Sequence, residues 1–392
     1  MYEKTSLTYK NVAKNTKFID WESQPLMKEY PDFFSYDLRD VEIIYLSRFA
    51  SEVLNINKKP YIRLNIPSAG NLHPTELYVQ IRGIKNIISG IYHVNAKKSK
   101  LTLIKEIYNG GIENELDINM VKGIIFLVSV VPFRSFWKYG TRSYRYTYLD
   151  AGHQIGALLA ASKICKKEIY QTEIKEYKKI NKFMGFCNEE FALAAFYTGE
   201  IKKTKVSKTI PLIKVFPTNY TEWEVDTNLY LKGLQKCNFN IFYPKIKSKK
   251  TLFQRRSARG FKKRDSYLDF YFFFFYMLKF LDEFSLYLIT LDKINRVYKN
   301  AKLVKKGNFT NQIVKMCVNQ GFIKNAAYIF IVTAKQFNQN TLLKSGMLGQ
   351  KIYLEAVERG WKVSAIGAFY DKAWQRFLKT NEKIHYIISI GG

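Results

Sequence analysis

Cysteine is scarce and unpatterned: the four residues, at 165, 187, 237 and 317, share no close spacing. That excludes a disulfide framework and a thiolate zinc site as expectations, and it fits a reducing, cytoplasmic setting. Histidine is equally sparse. His73, His93, His153 and His385 are scattered without ligand spacing, so they are expected as packed or solvent-facing rings and no metal site is expected. No apolar run reaches the roughly 20 residues of a membrane-spanning helix. The longest, Phe270 to Leu278, suits a buried core helix better than a sticky interaction surface. The opening Met-Tyr-Glu-Lys-Thr-Ser has no apolar signal core, and no membrane association is expected. No Gly-x-Gly-x-x-Gly follows a strand pattern, which argues against a Rossmann nicotinamide domain. Acidic residues are outnumbered, 33 against 63 Lys+Arg, for a formal charge of +30. Such a charge could serve nucleic acid or an anionic membrane. The lysines are scattered, however, and cluster only at Lys245 to Lys250 and Arg255 to Lys263, so we read a compositional background with no nucleic-acid partner. The field should still steer anionic ligands over about 8 Å at physiological salt.

What is present is enough apolar residue, 47% of 392 positions, to fill one large core or two modest ones. Residues 1 to 35 read as an irregular, aromatic-bearing segment. The stripe Ile43, Ile44, Leu46, Phe49 and Ala50 predicts a helix over Val41 to Leu54. Strands are predicted at Leu77 to Ile81, at the hairpin-like runs Gly90 to His93 and Leu101 to Ile104, at Gly123 to Val131, and over residues 191 to 199. A helix rich in small residues is predicted over Tyr148 to Ile164. From Pro211 to Lys250 the period is lost and charge rises, the pattern of a linker. Beyond it the first part is echoed: Gly346 to Ala356 matches Gly152 to Ser162 at an offset of 194. Ala326 to Thr333 and Ile384 to Ile390 likewise repeat the strands at Gly123 to Val131 and Phe191 to Thr198, which reads as a diverged tandem duplication.

The most informative stretch is Arg63-Leu-Asn-Ile-Pro67-Ser68-Ala69-Gly70-Asn71-Leu72-His73-Pro74-Thr75-Glu76-Leu77-Tyr78. Its small residues let the backbone approach a ring or phosphate closely, and Ser68 and Asn71 add hydrogen bonds with little bulk. On this chemistry alone a binding loop and an ordinary Pro-Gly turn stand level. The stretch resembles the Pro-Ser-Ala-Gly flavin loop of the nitroreductase-like FMN oxidoreductases, in particular the dehydrogenases that oxidise azolines in thiazole- and oxazole-containing peptides. Two further segments are similar to that branch: Ile19-Asp20-Trp21-Glu22-Ser23-Gln24-Pro25, and Trp137-Lys138-Tyr139-Gly140-Thr141-Arg142-Ser143-Tyr144-Arg145-Tyr146 followed by Leu149-Asp150-Ala151-Gly152-His153.

The later part opens on Arg255-Arg256-Ser257-Ala258-Arg259, whose Arg-Ser-x-Arg turn offers two guanidinium forks and a hydroxyl ahead of a helix pattern, which is phosphate-binding chemistry or simply a solvated basic face. It resembles the Arg-Ser-x-Arg block that holds the FMN phosphate and ribityl chain in nitroreductases. Ile366-Gly367-Ala368 resembles the loop whose backbone N–H lies by the flavin N5. In the family each flavin takes these two blocks from one subunit and the Pro-Ser loop from the other. Here the first half keeps only the Pro67 loop and the second only Arg256, Ser257, Arg259 and the Gly367 loop.

The resemblance therefore implies an α+β, nitroreductase-like fold of two tandem halves, residues 1–210 and 251–392 joined by a linker at 211–250. The halves would form an intramolecular pseudo-dimer holding one FMN between Pro67, Ser68, Ala69, Gly70 and Asn71 on one side and Arg256, Ser257, Arg259, Ile366, Gly367 and Ala368 on the other. It also implies Lys138 and Tyr139 as the acid/base couple. Dehydrogenation removes a proton from one atom and delivers a hydride from its neighbour, and a buried lysine beside Arg142 and Arg145 would have its pKa drawn toward neutrality. The implied reaction is oxidation of a ring or backbone position in a modified peptide, within a peptide-modifying complex, the electrons passing on to oxygen or another acceptor. An NAD(P)H-dependent nitro- or quinone reductase and a flavin-free scaffold are the alternatives. The second half is expected to lack middle segments, and the phosphate to rest on Arg256 and Arg259 alone, because reductases of this fold commonly carry further basic ligands beyond the position of Gly391-Gly392.

Overall fold

Strands whose alternate residues are both apolar, such as Ile125/Leu127 against Phe126/Val128, can bury both faces, and the chain uses two sheets of this kind. The computed structural model describes residues 1–14, 21–25, 27–56, 59–186, 189–217, 229–230, 243–262, 274–275, 278 and 283–392. Helices α1 (Tyr2–Thr5) and α2 (Tyr9–Lys14) open the chain, followed by β1 (Ser35–Asp37), α3 (Glu42–Ser47) and the hairpin β2 (Ala50–Ile56) and β3 (Lys59–Leu64). Then come β4 (Thr75–Arg82), β5 (Gly90–Asn95), β6 (Lys100–Glu106), α4 (Glu113–Leu116), β7 (Val121–Val130), α5 (Pro132–Tyr139), α6 (Ser143–Ile164), β8 (Tyr170–Thr172), α7 (Tyr177–Phe183) and β9 (Phe191–Ile201). The later part holds α8 (Lys249–Gln254), β10 (Ser285–Thr290), β11 (Asn295–Lys299), β12 (Lys302–Gly307), α9 (Thr310–Met316), β13 (Tyr328–Ala334), α10 (Gln339–Glu358), β14 (Lys362–Ile366), α11 (Asp371–Leu378) and β15 (Lys383–Gly391).

The first sheet runs β6-β5-β4-β7-β9-β8 with β1 added outside β6, and the second runs β12-β11-β10-β13-β15-β14. The two orders are one permutation. In each, a long helix is inserted in the chain between the fourth and fifth strands of the matching set, α6 after β7 and α10 after β13. One continuous core contains the inner faces of both sheets and the two long helices, with Phe126, Val128, Leu158 and Leu159 alongside Phe330, Val332, Leu348 and Ile352. The outer faces build separate clusters, around Ile125, Leu127 and Phe183 in one case and Ile329, Ile331 and Trp374 in the other.

The contact between α6 and α10 is reciprocal. A Cβ on Gly152 would lie 2.1 Å from Leu343 O, and one on Gly346 would lie 2.2 Å from Leu149 O. Both pairs, Gly152/Gly346 and Leu149/Leu343, are separated by the 194 positions of the sequence echo. Glycine is needed here because the backbones touch.

Two expectations change. The helix predicted over Val41 to Leu54 stops at Ser47, where Arg48 turns extended and buries its guanidinium against Thr75 and Gln154, and residues 50–56 pair with 59–64 instead. The second half is not short of strands; what it omits is a counterpart of α5, since Ala334 reaches Gln339 across four residues. Of the packed or solvent-facing rings expected, all four histidines are of the packed kind. The Phe270 to Leu278 run lies mostly outside the described residues, although Phe274 is buried and Phe275 half exposed. Cys187 and Cys237 also lie outside them, as do parts of the expected linker. Among the described residues no helix is long and apolar enough to cross a membrane.

Candidate functional site

The Pro67 loop leaves β3 and turns through one short 3-10 helix at Ala69–Asn71, with Gly70 at φ +63° and Asn71 at +60°. Only glycine adopts that conformation freely, and a side chain on Gly70 would also strike the Tyr139 hydroxyl at 2.5 Å. The loop is pinned from several sides. Ser68 Oγ donates to Asp150 Oδ2 at 2.5 Å, Ala69 N donates to the same carboxyl, and His73 N donates to Ser68 Oγ at 2.9 Å. Asn71 Nδ2 donates to Ile62 O. Its far end is tied to α5, where Arg134 donates to His73 O and pairs with Glu76 at 2.6 Å. Glu76 also meets His93 and Arg48. This buried cluster orients α5, and with it Lys138 and Tyr139, against β4. Burial, with Arg48 and Arg134 nearby, pushes His73 down to about 3, so its ring is neutral.

From the second half, residues 255–259 follow α8 along the edge of β14. Ser257 forms a parallel bridge with Val363, and Ala258 N donates to Val363 O at 2.7 Å. That addition places the basic block beside the turn that leaves β14 at Ile366. The Gly367 carbonyl accepts from Tyr146 OH and Arg142 Nη2, each at 2.9 Å, and Ala368 O accepts from Gln320 Nε2 at 2.9 Å.

Two adjoining cavities result. One, of about 330 Å³, has a basic wall of Arg63, Arg255, Arg256 and Arg259 together with Asn71 and Ser257. The other, of about 280 Å³, is lined by Ala69, Gly70, Tyr139, Tyr146, Leu149, Asp150, Gly367, Ala368 and Tyr386. Pro67, Ser68, Ser257, Gln320 and Ala365 border both. One end suits an anionic group and the other a flat ring.

The arginines are not equivalent. Arg255 is buried, donating to Asn65 O and Leu64 O, while its Nη1 is buried and, among the described residues, unpartnered. Burial, opposed by Tyr353, brings its pKa down to about 10, so it remains a cation at neutral pH. Arg256 spends three donors on the Phe253, Arg255 and Ser51 carbonyls of the five a guanidinium has. Arg259 is exposed.

Of the residues expected from sequence, Pro67, Ser68, Ala69, Gly70, Asn71, Arg256, Ser257, Arg259, Tyr139, Gly367 and Ala368 border the two cavities. Ile366 does not: its side chain belongs to the outer core, leaving only its backbone to contribute. Lys138 lies outside both linings, with Nζ 5.5 Å from the centre of the Tyr139 ring. Its pKa is lowered by burial. The neighbours expected to lower it do not, because Arg142 and Arg145 both face Asp371, at 2.8 and 2.6 Å. Burial raises the Tyr139 phenol, with Tyr146 and Asp150 adding to the effect.

Sequence reasoning missed Asp150, Arg63, Arg255, Tyr146 and Gln320. Arg63 and Arg255 stand at the first positions of the two motif stretches, and Asp150 in the block after Lys138. Gln320 carried no signal; it is delivered by two successive left-handed residues, Val318 and Asn319, rare for a β-branched side chain. Arg63 and Arg255 also correct the expectation that only Arg256 and Arg259 face the anion end.

Comparison with known proteins bears on the fold. A protein of Methanocaldococcus jannaschii named as a nitroreductase is 26% identical over 132 residues, 30% of this chain and 65% of that protein. This chain thus spans slightly under two thirds of that relative's length. The crystal structure of an Anabaena variabilis protein named as a nitroreductase matches with a TM-score of 0.78 over 99% of this chain and 98% of that one, at 18% identity. A chain of the E. coli microcin synthetase McbBCD complex with truncated pro-MccB17 bound matches 50% of this chain and 75% of its own, at 14% identity and a TM-score of 0.35. The whole chain has the nitroreductase fold, and residues 281–392 match the Nitroreductase family.

Proposed function

We propose that the chain is an FMN-dependent oxidoreductase of two tandem nitroreductase-like halves, residues 1–210 and 251–392, that share one flavin site and dehydrogenate a heterocycle or backbone position in a modified peptide. The observation that carries this reading is the pair of joined cavities walled by the Pro67 loop of one half and by residues 255–259 and 366–368 of the other. The donor set fits FMN. Arg256, Ser257 and Arg259, with Arg63 and Arg255, suit its phosphate; the Pro67–Asn71 loop, Gly367 and Ala368 suit its ring. When bound, FMN supplies a two-electron acceptor. Lys138 and Tyr139 would move the proton, and α5, which carries them, has no counterpart among the described residues of the second half.

A single site is supported by what stands opposite. Lys344 occupies the position 194 residues beyond Asp150, and in place of a carboxyl meeting a serine it forms an ion pair with Glu283 at 2.7 Å.

The test is reconstitution with excess FMN, desalting and flavin absorbance, then mass analysis of a thiazoline-containing peptide for loss of two hydrogens. We expect one FMN per chain and an oxidised peptide. A stoichiometry near two removes the shared-site reading, and a colourless protein removes the flavin. A yellow protein bleached by NAD(P)H that leaves azolines untouched is a reductase instead.

A further inference from the structure

We propose that Asp150 and Ser68 form a proton-holding pair in the wall of the ring-side cavity. The inference rests on the flavin reading above for its setting, and on geometry for its content. Asp150 is 5% exposed yet borders the cavity, so its carboxyl is dry but adjacent to whatever binds there. Ser68 Oγ donates to it at 2.5 Å and itself accepts from His73 N at 2.9 Å. With its single proton directed at Asp150, that hydroxyl has one acceptor position left, and Ser68 borders both cavities.

The surroundings leave the carboxyl without a cation. Among the described residues no Lys, Arg or His forms an ion pair with Asp150. The titratable groups that interact with it are the phenols Tyr139 on α5, Tyr353 on α10 and Tyr386 on β15, with the hydroxyl of Ser68 on the loop. His153, one turn further along α6, is neutral and engaged with Gln350 and Tyr386. Arg255 lies behind Tyr353, its guanidinium 5.6 Å from that ring. A dry carboxyl with acceptor bonds and no counter-charge prefers its neutral form. Accordingly burial raises Asp150 to about 7, against the lowering by Ser68 and Ala69.

The transfer is balanced within the pair. A proton arriving at Ser68 Oγ displaces that hydroxyl's own proton to Asp150 Oδ2, the carboxylate becomes a carboxylic acid, and the donor keeps the electron pair of its broken bond. No carbon bond changes and no oxidant is consumed. A merely structural Asp150 would brace the loop and take up no proton on reduction.

Redox titration of FMN-loaded protein against an electrode, repeated across pH, separates the two roles. In the parent, reduction above neutral pH draws an extra proton to Asp150, so the midpoint potential falls with pH at the slope of two protons per two electrons rather than one. Asp150→Asn should show the one-proton slope across that range above neutral pH. Ser68→Ala removes a bond that favours the charged form, so its break should move to higher pH. If Asp150→Asn keeps the parent profile, the pair holds no proton and the proposal falls. Should that variant not fold, an unmoved break in Ser68→Ala overturns the proposal equally. If the parent binds no FMN, the flavin reading fails by itself, and carboxyl-carbon NMR of the ligand-free protein decides: an Asp150 resonance titrating near neutral keeps the pair, and one ionised down to pH 5 ends it.

Discussion

Arg256 lines the basic cavity and Lys138 lies outside both linings, against the Tyr139 ring, so the two should fail differently. Arg256 borders the basic cavity and has donors beyond the three given to backbone carbonyls. Losing a charge-assisted phosphate contact costs about 1.5–3 kcal/mol, so Arg256→Ala should weaken FMN roughly ten- to a hundredfold while fully loaded protein turns over normally. Lys138→Ala should leave the protein yellow and slow proton abstraction by about 10² to 10⁴. The sign of the pH effect follows from burial. A lysine whose pKa is lowered in the folded state has more neutral amine at any given pH, so the parent rate should rise with pH through that pKa, and the variant should lose this limb. Stopped-flow flavin reduction with a thiazoline peptide checks both points; an unchanged rate in Lys138→Ala withdraws the acid/base assignment. At this scale the sequence was most legible where motifs carry backbone demands, as at Gly70 and Ser257. It was least legible where a residue matters through what faces it. Asp150 could be seen beside Lys138 in the chain, but not that it would meet Ser68, and Arg142 could be seen near Lys138, but not that it would turn away to Asp371.

The crossing of α6 and α10 is the element on which both walls of the site depend, because α6 carries Asp150 and Tyr146 while α10 carries Tyr353, which bonds Ser257 and Ala365 N. Gly152→Ala places a methyl 2.1 Å from Leu343 O, a backbone atom that cannot rotate away. Overpacking of this kind costs about 1–3 kcal/mol or more, and by separating the walls it should also lower FMN affinity. Thermal unfolding and flavin titration of Gly152→Ala and Gly346→Ala check this. We expect both glycines to matter similarly, since the contact is reciprocal; a variant as stable and as yellow as the parent would show the helices can part harmlessly. The small-residue pattern and the 194-residue echo marked both helices in the sequence, but not that their glycines would meet. The β2–β3 hairpin was not: its half-exposed residues give no clean alternation, so the stripe from Ile43 to Ala50 extended the helix too far, and nothing in a single strand's pattern announces its partner.

In the whole molecule, the shared core runs through both sheets and both long helices, so the wall supplied by residues 63–71 and the wall supplied by residues 255–259 are parts of one folded chain. Covalent connection sets the effective concentration of one half for the other at around millimolar or above, far beyond working protein concentrations. Residues of both halves line each of the two cavities. An enzyme that borrowed a wall from a second subunit would lose flavin as it dissociated; this chain should retain it on dilution as long as free FMN is held constant. We therefore expect that FMN-loaded protein, taken from micromolar to nanomolar at a constant free FMN concentration and followed by flavin fluorescence alongside sizing, elutes as a yellow monomer. Any flavin loss should depend on free FMN and not on protein concentration. The charge of +30 adds a second signature, because attraction of an anionic flavin is screened by salt: the association rate should fall as salt rises, at every protein concentration alike. Loss of flavin in step with dissociation of a dimer would mean that the site is completed between molecules, and the shared site within one chain would have to be abandoned.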